Sequence, residues 1–254
     1  MRLKPLLLFS FLICSACTGA VSPEPVDGFE YFRFGSFFGE CLGYCQTEIK
    51  IERESIQQKS KGWNQNGELP KTERIEVVNS IYFEELTRYL DFNKFKKLDE
   101  VLGCPDCADG GGEWVEIRRN GQTSKVTFEY GNEPKELSNI IGLLRAYAVS
   151  FDVASNEPIK FNDRVFINQT GEIKNFICTR GCSQYLIKLD NHTSNEFFYP
   201  QNLESEFLKD GLSLRFHSVI MPEETAISKP SPTDQPVFHF NAQNIRLFGI
   251  MILN

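Results

Sequence analysis

Six cysteines in three close pairs place the tightest constraint on what this chain can fold into: Cys41 with Cys45, Cys104 with Cys107, and Cys178 with Cys182. In an exported chain an even number of closely spaced cysteines reads as disulfides, whereas in a reducing compartment the same spacing reads as metal ligands or redox chemistry. Local or intra-domain bridges are the natural solution at such spacing. A short loop, however, removes little chain entropy, so a bridge between Cys104 and Cys107 would stabilise less than one joining them to Cys41 or Cys45. The expectation is therefore at least one long-range bridge among Cys41, Cys45, Cys104 and Cys107, with Cys178–Cys182 closing a hairpin.

The N-terminus bears on the compartment. Met1-Arg2-Leu3-Lys4 is a short basic region, Pro5 to Ile13 is mainly apolar, and Cys14-Ser15-Ala16-Cys17 ends in a cysteine after small residues. This is a signal-peptide layout, too short for a spanning helix. It resembles the lipobox of bacterial lipoproteins, with Cys14 at a position where Leu is commoner. The alternative is an ordinary signal peptide cut near Ala16 or Ala20. The lipobox resemblance implies a signal over residues 1–16, lipidation of Cys17 by acyl chains of the palmitate type, and a tether over 17–28. The protein would then sit in the cell envelope, anchored by lipid to a bacterial outer membrane, since several acyl chains on one residue anchor stably. Loss of Arg2 and Lys4 with the signal would take the formal charge from −7 to −9.

Composition fits a folded chain, with 41% hydrophobic and 24% charged residues, and 22 Phe against 3 Met favour strands packed into compact cores. The acidic balance disfavours nucleic acid as a partner, because phosphates need a basic face.

Patterning divides the chain in two. Residues 29–150 read as an α+β domain, an antiparallel sheet with two helices. Cys45 to Arg53 alternates, with Thr47, Ile49 and Ile51 on one face and Glu48, Lys50 and Glu52 on the other. Residues 71–78 read as a strand leading to a helix near Ile81–Leu90. Trp114–Arg118 and Lys125–Tyr130 flank Asn120-Gly121, a tight-hairpin signal. Glu133-Pro134 opens a helix carrying Leu137, Ile140, Ile141, Leu144 and Tyr147 at helical spacing. After a change of texture at 150–162, residues 160–254 read as an all-β domain, a small barrel or sandwich built from short strands. Its expected punctuation is Gly171, Asp210-Gly211 and a loop over Pro222–Pro236, and Ile245–Leu253 reads as a central strand buried on both sides. Each domain has its own apolar pattern and is expected to fold alone.

FGECLGYC (Phe38–Cys45), CPDCADGGGEWVEI (Cys104–Ile117) and the following Leu/Ile helix resemble a Bacteroidota-type family of bacterial lipoproteins with a domain of unknown function, over about residues 29–150. YPQNL (Tyr199–Leu203) and FLKDGLSLRF (Phe207–Phe216) resemble small β-barrel domains of the OB type found in similar lipoproteins. The resemblance implies envelope localisation and fold, and carries no activity.

Several constellations invite chemistry. Cys104-Pro105-Asp106-Cys107 has thioredoxin-like spacing, but Ala-Asp-Gly-Gly-Gly follows it and cannot open the helix that would lower a thiol pKa. Cys41, Cys45, Cys104 and Cys107 could supply four thiolates for zinc, against which an oxidising compartment favours disulfides. Gly110-Gly111-Gly112 could cradle an anion, though it lacks the companions of a phosphate loop. Asp106, Asp109 and Glu113 could hold Ca²⁺, but match no EF-hand spacing. His192, His217 and His239 are scattered, and no nucleophile-elbow motif occurs. Tyr31, Phe32, Phe34, Phe37 and Phe38 could line a groove or form the core of an edge strand and its loop. The expectation is a lipid-anchored, non-catalytic binding or scaffolding module with no catalytic residue, metal or cofactor. The alternative is a thiol–disulfide or metal-dependent envelope enzyme using Cys104 and Cys107. A barrel that binds carbohydrate or peptide on a shallow face lies between the two.

Overall fold

The computed structural model describes residues 28–153, 160–190 and 196–253. Cys17, the signal, all of the tether except Gly28, and His192 lie outside the described residues. The structure is mostly β, in two sheets with few helices.

The first sheet has eight strands: β1 (Phe29–Phe37), β2 (Gly43–Glu52), β3 (Ser55–Asn64), β4 (Gly67–Glu68), β5 (Thr72–Val77), β6 (Val101–Leu102), β7 (Gly112–Arg119) and β8 (Gln122–Glu129). They run in the order β4-β3-β2-β1-β7-β8-β6, with β5 also on β3. The aromatic stretch at 31–38 is mainly β1, which lies between β2 and β7 and is not the edge strand expected of it. Period-two alternation splits its aromatics: Phe32 and Phe34 are buried, while Arg33 and Gly35 face the other way. Ile49 and Ile51 of β2 share the buried face. The β7–β8 turn has Asn120 at φ 49° and Gly121 at φ 74°, the two left-handed residues a tight hairpin requires.

Among the described residues there are four α-helices: α1 (Ile81–Tyr89), α2 (Phe92–Phe95), α3 (Ser138–Val153) and α4 (Phe161–Arg164). Phe83 and Leu86 of α1 join Ile140, Ile141, Leu144 and Tyr147 of α3 in one core with the inner face of the sheet. Tyr147 donates its hydroxyl to the Tyr82 carbonyl at 2.9 Å. Burial around α3 is not confined to one stripe, since Leu143 and Ala146 are buried as well. A helix with more than one apolar face is one covered from more than one side.

The second cover is the barrel: β9 (Val165–Thr179), β10 (Cys182–Leu189), β11 (Phe197–Pro200), β12 (Ser213–Pro230) and β13 (Pro236–Ile252). They close in the order β10-β11-β13-β12-β9, with β11 parallel to β13 and the other pairs antiparallel. Val165 and Val219 belong to the same core as α1 and α3. A Cβ on Gly142 of α3 would stand 3.1 Å from the Gly249 nitrogen of β13, so helix and strand meet backbone to backbone. The two halves expected to fold alone thus share packing through α3. Leu247 enters the barrel core while Phe248 packs on the α3 side, so the last strand is two-sided there, but Ile252 at its end is exposed.

Three expectations are corrected. Gly171 is no turn but a buried β9 residue whose added Cβ would sit 2.8 Å from the Lys188 carbonyl oxygen. Pro222–Pro236 is no loop: β12 runs through to Pro230, and a register shift between Ile220 and Glu224 absorbs Pro222, since a bulge tolerates a residue without an N–H. The long-range bridge does not form. All three pairs bond locally, with Cα separations of 5.8 Å (Cys41–Cys45), 5.5 Å (Cys104–Cys107) and 5.2 Å (Cys178–Cys182). Cys104–Cys107 and Cys178–Cys182 each flank a tight turn, and Cys41 stands four residues ahead of Cys45 where the chain enters β2, so proximity fixes the partners whatever the loop entropy favours. The first two loops do meet, but through Asp106, whose Oδ1 accepts from the Gly39 and Gly111 N–H groups at 3.1 Å each.

Candidate functional site

The far halves of β12 and β13 continue beyond the strands that close the barrel and border an open concavity. Two irregularities shape it. The bulge at Pro222 redirects β12, and Gln243 fixes that bulge by donating to the carbonyls of Met221 at 2.5 Å and Glu223 at 3.1 Å. The register then slips again between Ile227 and Ser228, which pair with Phe240 and Phe238 and leave His239 as the extra residue. Bulges of this kind re-aim side chains. The hairpin is held over β10 by Gln184, which accepts from the Ser228 N–H at 2.9 Å and donates to the Ala226 carbonyl at 3.2 Å. Asp234 at its tip accepts from the Arg180 N–H at 3.2 Å.

Beneath this hairpin, Phe176 of β9, Phe197 of β11 and Phe240 of β13 form an aromatic cluster. The ring centroid of Phe176 lies 4.9 Å from that of Phe197 and 5.5 Å from that of Phe240, both edge to face. His239 stands 5.0 Å from Phe240. The open groove they line has a volume of about 630 Å³, and Glu196, Glu224, Asn241 and Gln243 supply its polar side chains. Phe238 and Val237 are exposed further along the same strand. An apolar groove with a few placed polar groups is the ordinary form of a ligand site.

His217 is a different histidine. It is buried, accepts from the Asn168 N–H on Nδ1 at 3.0 Å and meets the Tyr89 ring edge to face at 5.8 Å. Burial lowers its imidazole to about 4, so it is neutral at physiological pH and belongs to the seam between barrel and helices.

The cysteine-bearing loops are internally satisfied. Cys107–Asp109 forms a single 3-10 turn with Asp106, Ala108 and Asp109 all at positive φ, and no α-helix starts at the C-x-x-C. The N–H of Cys104 donates to Glu129, which together with Asn132 holds that carboxyl below its ordinary range. In the glycine run, Gly110 donates to the Cys107 carbonyl and Gly111 to Asp106, so these N–H groups do not point at a common ligand. Asp106 and Glu113 do not converge: buried Glu113 accepts two bonds from Arg145, at 3.0 and 2.5 Å, and one from the Gly131 N–H. Among the described residues no group of three or more His, Cys, Asp or Glu side chains is placed to hold a metal.

Of the residues named from sequence, the six cysteines pair locally and His239 lines the groove, while the candidate ligands of zinc, calcium and an anion do not form a common site. Phe176, Phe197 and Phe240 come together only through the barrel's strand order, and no local spacing announces them. No protein-family model matches the chain, and no curated protein matches it.

Proposed function

We propose that this protein is a lipid-anchored envelope protein whose barrel, of the OB type, is a non-catalytic binding module for a neutral saccharide. The circuit in which the third barrel strand runs parallel beside the fifth supports the OB reading, and OB barrels bind oligosaccharides among other ligands. The observation that carries the ligand class is the groove itself. Phe176, Phe197 and Phe240 offer apolar ring surface to the C–H faces of a sugar, while Glu196, Glu224 and Asn241 can bond its hydroxyls. Two carboxylates at the site work against an anionic ligand. Anchoring through Cys17 rests on the signal layout at the N-terminus; among the described residues no helix is long and apolar enough to cross a membrane.

The test is equilibrium binding of the full chain to cellohexaose, maltohexaose and chitohexaose, with fractionation of cells run in parallel. At least one sugar should bind and be recovered uncleaved, and Phe240→Ala should weaken it by about tenfold or more, as loss of a stacking anchor does. Cys17→Ala should move the protein out of the membrane fraction. Cleavage of the sugar, or equal affinity in Phe240→Ala, would overturn the binding reading; a Cys17→Ala protein that still sediments with membranes would overturn the anchor.

A further inference from the structure

The outer face of the eight-stranded sheet, turned away from α1 and α3, is a lattice set by strand register. Gly35, Trp114 and Thr127 stand in one row across β1, β7 and β8, and Arg33, Glu116 and Lys125 in the next. On the other side of β1, Glu48 of β2 faces Gly35 and then Lys59 of β3, while Gln46 faces Lys61. Gly35 has no side chain to fill its place. A Cβ there would come within 2.6 Å of the Trp114 ring, so the indole occupies the space above the glycine. The result is a basin of about 600 Å³ at Trp114, with Lys59, Lys61 and Lys125 around it and with Arg33 paired to its one carboxylate, Glu48.

Other cations on this face are matched by carboxylates. Arg33 bridges Glu48 at 2.7 Å and Glu116 at 2.9 Å, Arg118 pairs with Glu30 at 2.8 Å, and Lys50 pairs with Glu52. Three lysines differ. Among the described residues Lys59 and Lys61 form no ion pair, and Lys125 only stands over the Trp114 ring at 4.3 Å. Glu73, across from Lys59 on β5, is bonded to Gln57. In a chain of formal charge −7, these lysines make the basin locally basic.

We infer that this basin is a second binding site, for a polyanionic glycan. Lys59 and Lys61 on β3 and Lys125 on β8 are four strand spacings apart, roughly 19 Å between backbones. One phosphate cannot reach both sides, whereas a sugar chain with an acid group on successive rings can. Trp114 lies between them with Lys125 4.3 Å and Arg33 5.4 Å from its ring, so its fluorescence reports on what these cations bind. An acidic peptide is less well served: β1, β2 and β7 are paired on both sides, so no strand edge is open to it in the basin. Exposed ion pairs are individually weak and screened, so binding depends on several acting together and falls as salt rises.

The chain holds two tryptophans, so a full-length Trp63→Phe variant leaves Trp114 as its only reporter. Polygalacturonate and heparin are titrated into it, with neutral dextran and polyglutamate as controls. At least one of the two anionic glycans should change Trp114 fluorescence saturably; response to the first assigns carboxylates, to the second sulfates. Affinity should fall about tenfold or more in high salt, and similarly when Lys59→Gln, Lys61→Gln and Lys125→Gln are combined. Those exposed substitutions leave the core untouched, and Phe240→Ala in the barrel groove should change nothing. The inference fails if neither glycan gives a saturable change, if the triple variant binds unchanged, or if polyglutamate or dextran does as well.

Discussion

The barrel groove and the sheet basin are nearly equal in size, about 630 and 600 Å³, yet they are made in opposite ways. The groove depends on irregularity: two register slips in the β12–β13 pair turn His239 and Phe240 toward Phe176 and Phe197. The basin depends on regularity, since Gly35, Trp114, Lys59 and Lys125 stand in unbroken register and the nearest slip, between Gly43 and Gln46 of β2, begins only at its rim. A site made by bulges is vulnerable through its backbone, and one made by register through its side chains. Their charges are opposed as well, Glu196 and Glu224 in one and Lys59, Lys61 and Lys125 in the other.

The largest test of how the two regions are joined uses His217, at their seam. Its folded pKa of about 4 lies below the ordinary value of 6.5, so the unfolded chain takes up the proton first. The stability this burial contributes is complete above about pH 6.5 and is lost as the pH falls toward 4, by at most about 3 kcal/mol. Urea unfolding of wild type and His217→Gln over that range checks it: the variant should show a flatter pH dependence, and parallel curves would remove His217 from the seam.

A matched pair of glycines sharpens the comparison directly. Gly171→Ala in the barrel would push a Cβ against the Lys188 carbonyl and the Ile187 side chain, and packed backbone cannot step aside. A loss of about 2 kcal/mol is expected in thermal or denaturant unfolding. Gly35→Ala in the sheet meets the Trp114 ring first, a side chain that can lift. It should cost less than about 1 kcal/mol while changing Trp114 fluorescence. Equal losses would mean that the two sheets are equally rigid at these positions.

Between those two effects falls the disulfide expectation. Because the Cys178–Cys182 bridge closes only a short loop, the paired change Cys178→Ser with Cys182→Ser should cost no more than about 2 kcal/mol, with folding retained. Failure to fold would show that the β9–β10 hairpin needs its bridge. Peptide mapping without reduction should recover the three local pairs.

The sequence was readable where alternation was clean. Ile49, Ile51 and the Asn120-Gly121 turn put β2, β7 and β8 where they are, and Leu137 to Tyr147 put α3 there. It was silent on β3, because Gln58 and Ser60 face inward where apolar residues would have marked the strand. The groove was hidden for a related reason: prolines at 222, 230 and 236 read as loop, whereas one sits in a bulge and the others at strand ends. Cys178–Cys182 closes its hairpin as expected, whereas the long-range bridge among Cys41, Cys45, Cys104 and Cys107 does not form, because local geometry in the folded chain outweighs loop entropy in the unfolded one. The shared core escaped as well, since helical spacing identifies one buried face of α3 but not that Leu143 and Ala146 are covered too.

The claim on which the rest turns is that these two surfaces bind independently. Its most direct measurement is calorimetric titration of the full chain, first with the neutral hexasaccharide that binds best and then, at saturation, with the preferred anionic glycan. The account predicts that the second titration is unchanged in affinity and stoichiometry by the first, and that Phe240→Ala weakens only the first and the three lysine substitutions only the second. Competition between the two sugars, or one variant weakening both, would contradict it.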